Sequence, residues 1–286
     1  MIYLESFHLP SYEKEQRYDY PTAYPFSLFS SRGLTDIFFS NITIFYGSNG
    51  SGKSTLLNII NNKLGFKRKS SFYTDEIFDD FIKMCKYKKA SDEITDEELE
   101  IPNNSKIIAS EDIFDYIISI REKNNRTKKN VVDLKEEYAK LKFSKYSYKS
   151  LDDYDNLVKQ NEAKKVTQSE FIRRRTKFIK QFSNGESVLR YFDSELENDG
   201  LYLLDEPENS LAPKFQIELL KLIVEASRYC DCQFVIATHS PFLLSIPGAK
   251  IYNLDLDPVE QCNWYELENV RIYYEFFKNN EDKFNE

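Results

Sequence analysis

Glycine is scarce, with 8 residues in 286. That composition excludes collagen-like and glycine-rich low-complexity architectures and favours long regular elements. Between Gly65 and Gly185 there is no glycine at all, and Pro102 is the only proline. Histidine is limited to His8 and His239, and the four cysteines, at 85, 230, 232 and 262, form no C-x-x-C pair. A zinc site is therefore not expected. Reduced thiols in a cytoplasmic protein are expected instead. No window approaches eighteen consecutive apolar residues, so no membrane span is expected. The opening MIYLESFHL lacks a basic start and an apolar stretch, which predicts no secretory leader. The length suits one large domain, or one domain with an insertion, with a core that needs no staples.

Against this scarcity, Gly47, Gly50 and Gly52 lie within six residues, in the string GSNGSGKST from Gly47 to Thr55. This is the phosphate-binding pattern G-x-x-x-x-G-K-[ST]. Each residue type has a physical task. Glycines let the backbone of Gly47, Ser48, Asn49, Gly50, Ser51 and Gly52 curl so that N–H groups point at phosphate oxygens. Lys53 reaches the terminal phosphates, and the Ser54 hydroxyl is a Mg²⁺ ligand. Thr55 opens a helix whose positive end favours the same anion. The context fits: an apolar strand Ile42–Tyr46 precedes the loop, and an apolar-patterned helix Thr55–Leu64 follows and stops at Gly65.

The net charge of −8 is segregated. Residues 121–180 carry 18 Lys/Arg against 9 Asp/Glu, while residues 71–120 are acidic. A basic segment on an acidic body fits a contact with nucleic acid or an acidic partner; it also fits a solvated helical lid.

The glycine-free stretch predicts helices. Apparent capping boxes at Thr95/Glu98, Ser150/Asp153 and Thr167/Glu170 agree. Val131, Leu134, Tyr138 and Leu141 keep a 3-4-3 spacing for about two heptads, too short for a coiled-coil arm. One strand, Lys106–Ser110, is expected inside the stretch, which reads as a helical insertion or lid over 66–170 within a single domain of 1–286. Outside it, Met1–Leu9, Leu201–Leu204, Phe234–Ala237, Lys250–Leu254 and Asn263–Leu267 read as strands. Pro213–Ser227 and Val270–Asn279 read as helices. Alternation of this kind implies an α/β fold with a mostly parallel sheet flanked by helices.

Three further motifs accompany the loop. Leu201–Glu206 is an apolar strand ending in two carboxylates, placing Asp205 to hold Mg²⁺ and Glu206 to polarise an attacking water. Phe234–Ser240 is a strand ending in His239, whose imidazole can hydrogen-bond a γ-phosphate or a water. Ser183-Asn184-Gly185-Glu186-Ser187 opens a helix and offers a second anion-binding surface.

Taken in order, GSNGSGKST, SNGES, LLDEPE and ATHSP resemble the P-loop NTPases of the ATP-binding-cassette (ABC) type. DEPENSLAP (Asp205–Pro213) and ATHSPFLL (Ala237–Leu244) are similar to the "AAA-type ATP-binding" branch, which includes ATPases of anti-phage systems and, more distantly, DNA-repair and chromosome-structure ATPases. The resemblance spans residues 1–65 and 183–255. It implies ATP and Mg²⁺ as cofactors, ATP hydrolysis, and a head-to-tail homodimer with nucleotide sandwiched between copies. Lys53 and Asp205 of one copy would then face Ser183 and Gly185 of the other, with Asn209, Ser210 and Leu211 at the dimer contact. Where that family carries a glutamine after a strand, this chain reads Ala109-Ser110-Glu111-Asp112, so Glu111 is the substitute Mg²⁺ contact. The adenine-stacking aromatic is Tyr24 or Phe26, or either is simply core. The role implied is a switch in a bacterial defence or DNA-processing assembly with an effector or nuclease partner. The alternative is the ATP-binding subunit of a membrane transporter, against which the basic lid and DEPENSLAP argue.

Overall fold

The computed structural model describes residues 1–69, 74–92, 95–143, 158, 161, 163–175 and 184–284. They fall into two compact units: Met1–Phe114 with Asn184–Glu286, and Asp115–Ser183.

The first unit is built on two sheets, one of three strands and one of six. β1 (Leu4–His8) pairs antiparallel with β2 (Asp36–Phe38) on one side. On the other it pairs with β4 (Lys86–Lys89), a strand not expected from the sequence, which reads there as charged helix. Cross-strand pairing with β1, rather than burial of its own side chains, holds β4 in place; Lys88 reaches Glu5 at 2.7 Å. β3 (Ile42–Tyr46), β6 (Leu201–Asp205) and β7 (Gln233–Ala237) are buried throughout. Strands covered on both faces cannot alternate in hydropathy, and these read as continuous apolar runs. With β5 (Lys106–Ala109), β8 (Lys250–Asn253) and β9 (Glu260–Gln261) they form a sheet of order β5-β6-β7-β3-β8-β9. All neighbours are parallel except β9. The short helix α1 (Tyr12–Glu15) follows β1, and helices α2 (Lys53–Leu64) and α7 (Pro213–Tyr229) pack on the six-stranded sheet. The fold is α/β, mostly parallel, with helical flanks.

Gln233 joins the two sheets. It is fully buried; its Oε1 accepts from the N–H groups of Tyr3 and Leu4 at 2.9 Å, and its Nε2 donates to the carbonyls of Leu4 and Ser40. Every hydrogen-bonding position of the amide is used, the condition under which a buried polar group specifies a structure rather than weakens it.

The expected insertion at 66–170 divides between the units. Helix α3 (Glu76–Met84), β4 and β5 belong to the first. Helix α4 (Ser110–Phe143) starts in the first unit and runs into the second, which extends through Ser183. In the second unit Tyr138 and Phe171 are buried with Ala163, their rings 5.3 Å apart, and Leu134 and Leu141 pack against them. Three residues of the 3-4-3 row thus line that small core. Thr167 caps α5 (Gln168–Arg175) by accepting from Glu170 N–H at 3.3 Å.

Two other readings are corrected. Thr95/Glu98 opens no helix: Ser91 bridges Glu98, and Thr95 N–H bonds Asp92 instead. Asn263–Leu267 is not a strand. Asn263 and Glu266 cap a 3₁₀ turn over Trp264–Glu266, a short-range preference that overrides the aromatic β pattern. Ser150/Asp153 lies outside the described residues.

Candidate nucleotide site

Strands β6, β7 and β3 are adjacent and parallel, so their C-terminal ends share one edge of the sheet. That edge is where open α/β sheets bind ligands. The loop of residues 47–52 follows β3, Asp205 ends β6, and His239 lies just beyond β7. Ser54 and Asp205, 151 residues apart, meet there for topological reasons alone.

The loop needs its glycines. Gly52 has φ +101°, a left-handed conformation that a side chain would strain, and a Cβ there would come within 3.0 Å of the Phe29 ring. Lys53 is buried, and its Nζ donates to the carbonyls of Gly47 at 2.9 Å and Ser48 at 3.0 Å. The same Nζ lies 3.9 Å from Glu206 Oε1. Ser54 Oγ donates to Asp205 Oδ1 at 2.8 Å. Two of the three expected Mg²⁺ contacts, Ser54 and Asp205, thus adjoin, presenting hard oxygen donors of the kind that cation takes.

The electrostatics separate the two carboxylates. Burial pushes the Asp205 carboxyl up to about 6, partly offset by the Ser54 hydrogen bond, with the charges of Glu206 and Glu111 adding to the rise. Glu206 is held down at about 2 by His239, against the cost of its burial, with help from Asn209 and Lys53. Its Oε1 lies 3.7 Å from His239 Nδ1, and Oε2 accepts from Asn209 Nδ2 at 2.9 Å. His239 is raised mainly by Glu206. Glu206 also has φ +46°, a strained value for a non-glycine residue. An ionised Glu206 and a buried Asp205 whose own charge is disfavoured form a site that a cation would relieve.

Glu208 is a site residue the motif reading did not single out. It is 4% exposed, accepts from Thr238 Oγ1 at 2.5 Å and from His239 N–H, and keeps an unpartnered buried Oε2. It fixes the backbone that carries His239. Ser240 then caps the short helix α8 (Pro241–Leu244) and donates to Gln216 Oε1 at 2.6 Å, turning the chain away from the sheet. Asp255, just past β8, was also missed: its carboxylate accepts from Ser48 N–H at 2.8 Å and Ser48 Oγ at 2.8 Å. No motif marks Asp255, because its position depends on β8 lying beside β3.

The remaining candidates separate. Glu111 is exposed at the start of α4 and reaches Asp205 through its charge, without a hydrogen bond. Among the described residues no three His, Cys, Asp or Glu side chains converge as a metal cage. Phe26 is a core aromatic, 4% exposed and stacked on Tyr18 at 4.5 Å. Tyr24 is 53% exposed, and its hydroxyl donates to Thr55 Oγ1 at 2.7 Å, so it stands beside the loop. Gly185 lies in α6 (Asn184–Glu195), where a Cβ would meet the Phe215 ring at 2.1 Å. Close packing within the chain thus requires this glycine. Ser183 lies outside the described residues. Asn209 binds Glu206, and Leu211 is buried in its own chain.

A family model described as "AAA domain, putative AbiEii toxin, Type IV TA system" matches residues 87–245, a span that includes Asp205, Glu206 and His239. No curated protein matches the chain. Among solved structures, similarity extends to an Smc head domain from Pyrococcus furiosus bound to the C-terminal domain of ScpA. That pair is 15% identical over 96% of this chain and 100% of the other, with a TM-score of 0.46. A Thermotoga maritima SMC head domain is 15% identical over 92% and 99% of the two chains, TM-score 0.41. The dimeric ATP-binding cassette MJ0796, bound to ADP and Pi, is 17% identical over 79% and 88%, TM-score 0.35. The matched model covers more than half of the chain, and the protein belongs to this AAA-domain family.

Proposed function

We propose that this chain binds ATP with Mg²⁺, hydrolyses it to ADP and phosphate, and uses the cycle as a dimerisation switch. One observation carries the reading: Ser54 and Asp205 adjoin at 2.8 Å while Lys53, Glu206 and His239 gather at the same sheet edge. The loop N–H groups and Lys53 hold the phosphates. Ser54 and Asp205 hold Mg²⁺, which neutralises phosphate charge when bound. Glu206, ionised at neutral pH and aimed by Asn209 and His239, orients the attacking water. Two copies close head to tail, each offering Ser183 and Gly185 to the nucleotide on the other. The coupled partner is a defence effector, a nuclease or a nucleic acid reached through the basic segment 121–180.

The test is Glu206→Gln, which keeps shape but cannot carry the charge. We expect ATP binding within a few-fold of wild type, turnover reduced at least a hundredfold, and an ATP-trapped dimer in light scattering. Turnover at the wild-type rate, or a persistent monomer with ATP, overturns the proposal.

A further inference from the structure

A second cavity lies in the first unit, and no phosphate-loop residue lines it. Its volume is about 880 Å³, within the range of small-molecule pockets. It is walled by the turn after α2, by β4 and by β5. Its charge is unbalanced. Lys67, Arg68, Lys69, Lys89 and Lys106 line it, against two carboxylates, Glu100 and Glu195. Lys69 and Lys106 both converge on Glu195, at 2.6 Å and 3.2 Å, so two ammonium groups share one carboxylate. Lys106 and Glu195 are mostly buried, at 21% and 19% exposure, where an excess positive charge is poorly screened. Lys89 pairs with Glu100, which is itself 87% exposed, and Lys67 makes no ion pair among the described residues. Tyr87 and Lys89, two apart on β4, line the same wall, setting an aromatic face beside an ammonium group.

The cavity is also connected to the nucleotide site. Arg68 donates to Asn58 Oδ1, Asn58 Nδ2 donates to the Ser54 carbonyl at 2.6 Å, and Ser54 Oγ donates to Asp205. Arg68 is therefore tied through Asn58 to the first turn of α2.

We propose that this cavity is a second anion site, which takes a phosphorylated ligand and communicates with the nucleotide site through Arg68 and Asn58. The communication rests on the nucleotide reading above; the binding does not. Phosphate chemistry of this kind can come from a free polyphosphate or from a nucleic-acid strand. The probes are inorganic tripolyphosphate and a fluorescein-labelled hexathymidylate with a 5′-phosphate. Each is titrated into the full chain, with and without saturating AMP-PNP and Mg²⁺. At least one should bind at one per chain in the presence of AMP-PNP. The double variant Lys67→Ala/Lys89→Ala should weaken that binding at least tenfold while melting as wild type does. Tripolyphosphate alone identifies a free polyphosphate; the hexathymidylate identifies a nucleic-acid strand. Binding should also change AMP-PNP affinity at least threefold. Absence of binding by both probes, or a double variant that binds as wild type, overturns the site. Unchanged AMP-PNP affinity overturns the communication. A probe lost on Lys53→Ala but kept by the double variant is bound at the phosphate loop, which also overturns the site without touching the nucleotide reading.

Discussion

Asp205→Asn should make the free protein more stable and abolish its turnover. The Asp205 carboxyl is 8% exposed and raised from its ordinary 3.8 to about 6, chiefly by burial. A raised acid is one whose charged form the fold disfavours. Stability from this group is complete below pH 3.8, where folded and unfolded chains are both protonated. It falls as pH rises, because the unfolded chain ionises first, and the loss is complete above about pH 6. Each tenfold change in proton affinity is worth about 1.4 kcal/mol, so the deficit at neutral pH is about 3 kcal/mol. Asparagine keeps an oxygen that accepts from Ser54 and carries no charge. The variant should therefore gain about 2–3 kcal/mol in urea unfolding at pH 7.5 without nucleotide or Mg²⁺. The gain should shrink towards zero near pH 4. Mg²⁺ with ATP should narrow it too, since a bound cation stabilises the wild type alone. A variant no more stable than wild type at pH 7.5, or a gain independent of pH, would refute the reasoning.

Lys53→Ala removes the charge-assisted contact to the terminal phosphates and should weaken ATP at the loop at least a hundredfold by calorimetry; unchanged affinity would dismiss the phosphate-loop assignment. Gly185→Ala forces a methyl to within 2.1 Å of the Phe215 ring and should cost about 1–3 kcal/mol in urea unfolding, largely recovered by adding Phe215→Leu. A neutral Gly185→Ala would show that the glycine serves something other than packing in its own chain. Ser183→Arg should leave ATP binding intact and prevent ATP-induced dimerisation in light scattering; a dimer of normal affinity would assign Ser183 to capping α6.

The sequence by itself determined the elements whose signal is local. Gly47–Thr55 is marked by glycine placement, and Leu201–Leu204 and Phe234–Ala237 by unbroken apolar runs, because strands buried on both faces need no partner to be recognised. The cap at Thr167 is legible for the same reason: its bond spans three residues. Motif order marked Ser54, Asp205, Glu206 and His239 as candidates, but it did not pair Asp205 with Ser54 or Glu206 with His239. The bonds themselves depend on β6, β7 and β3 being neighbours. Tertiary structure alone decided the rest. Lys86–Lys89 is a strand only because β1 offers it an edge, so its own lysines say nothing of it. Tyr24 and Phe26 are two residues apart and equally aromatic, yet packing buries one against Tyr18 and leaves the other beside Thr55. Gly185 looks like a signature residue in sequence, and only the proximity of Phe215 makes it a packing requirement as well. Asp255 reaches Ser48 across 207 residues through a parallel strand pair, a contact that no spacing in the chain encodes.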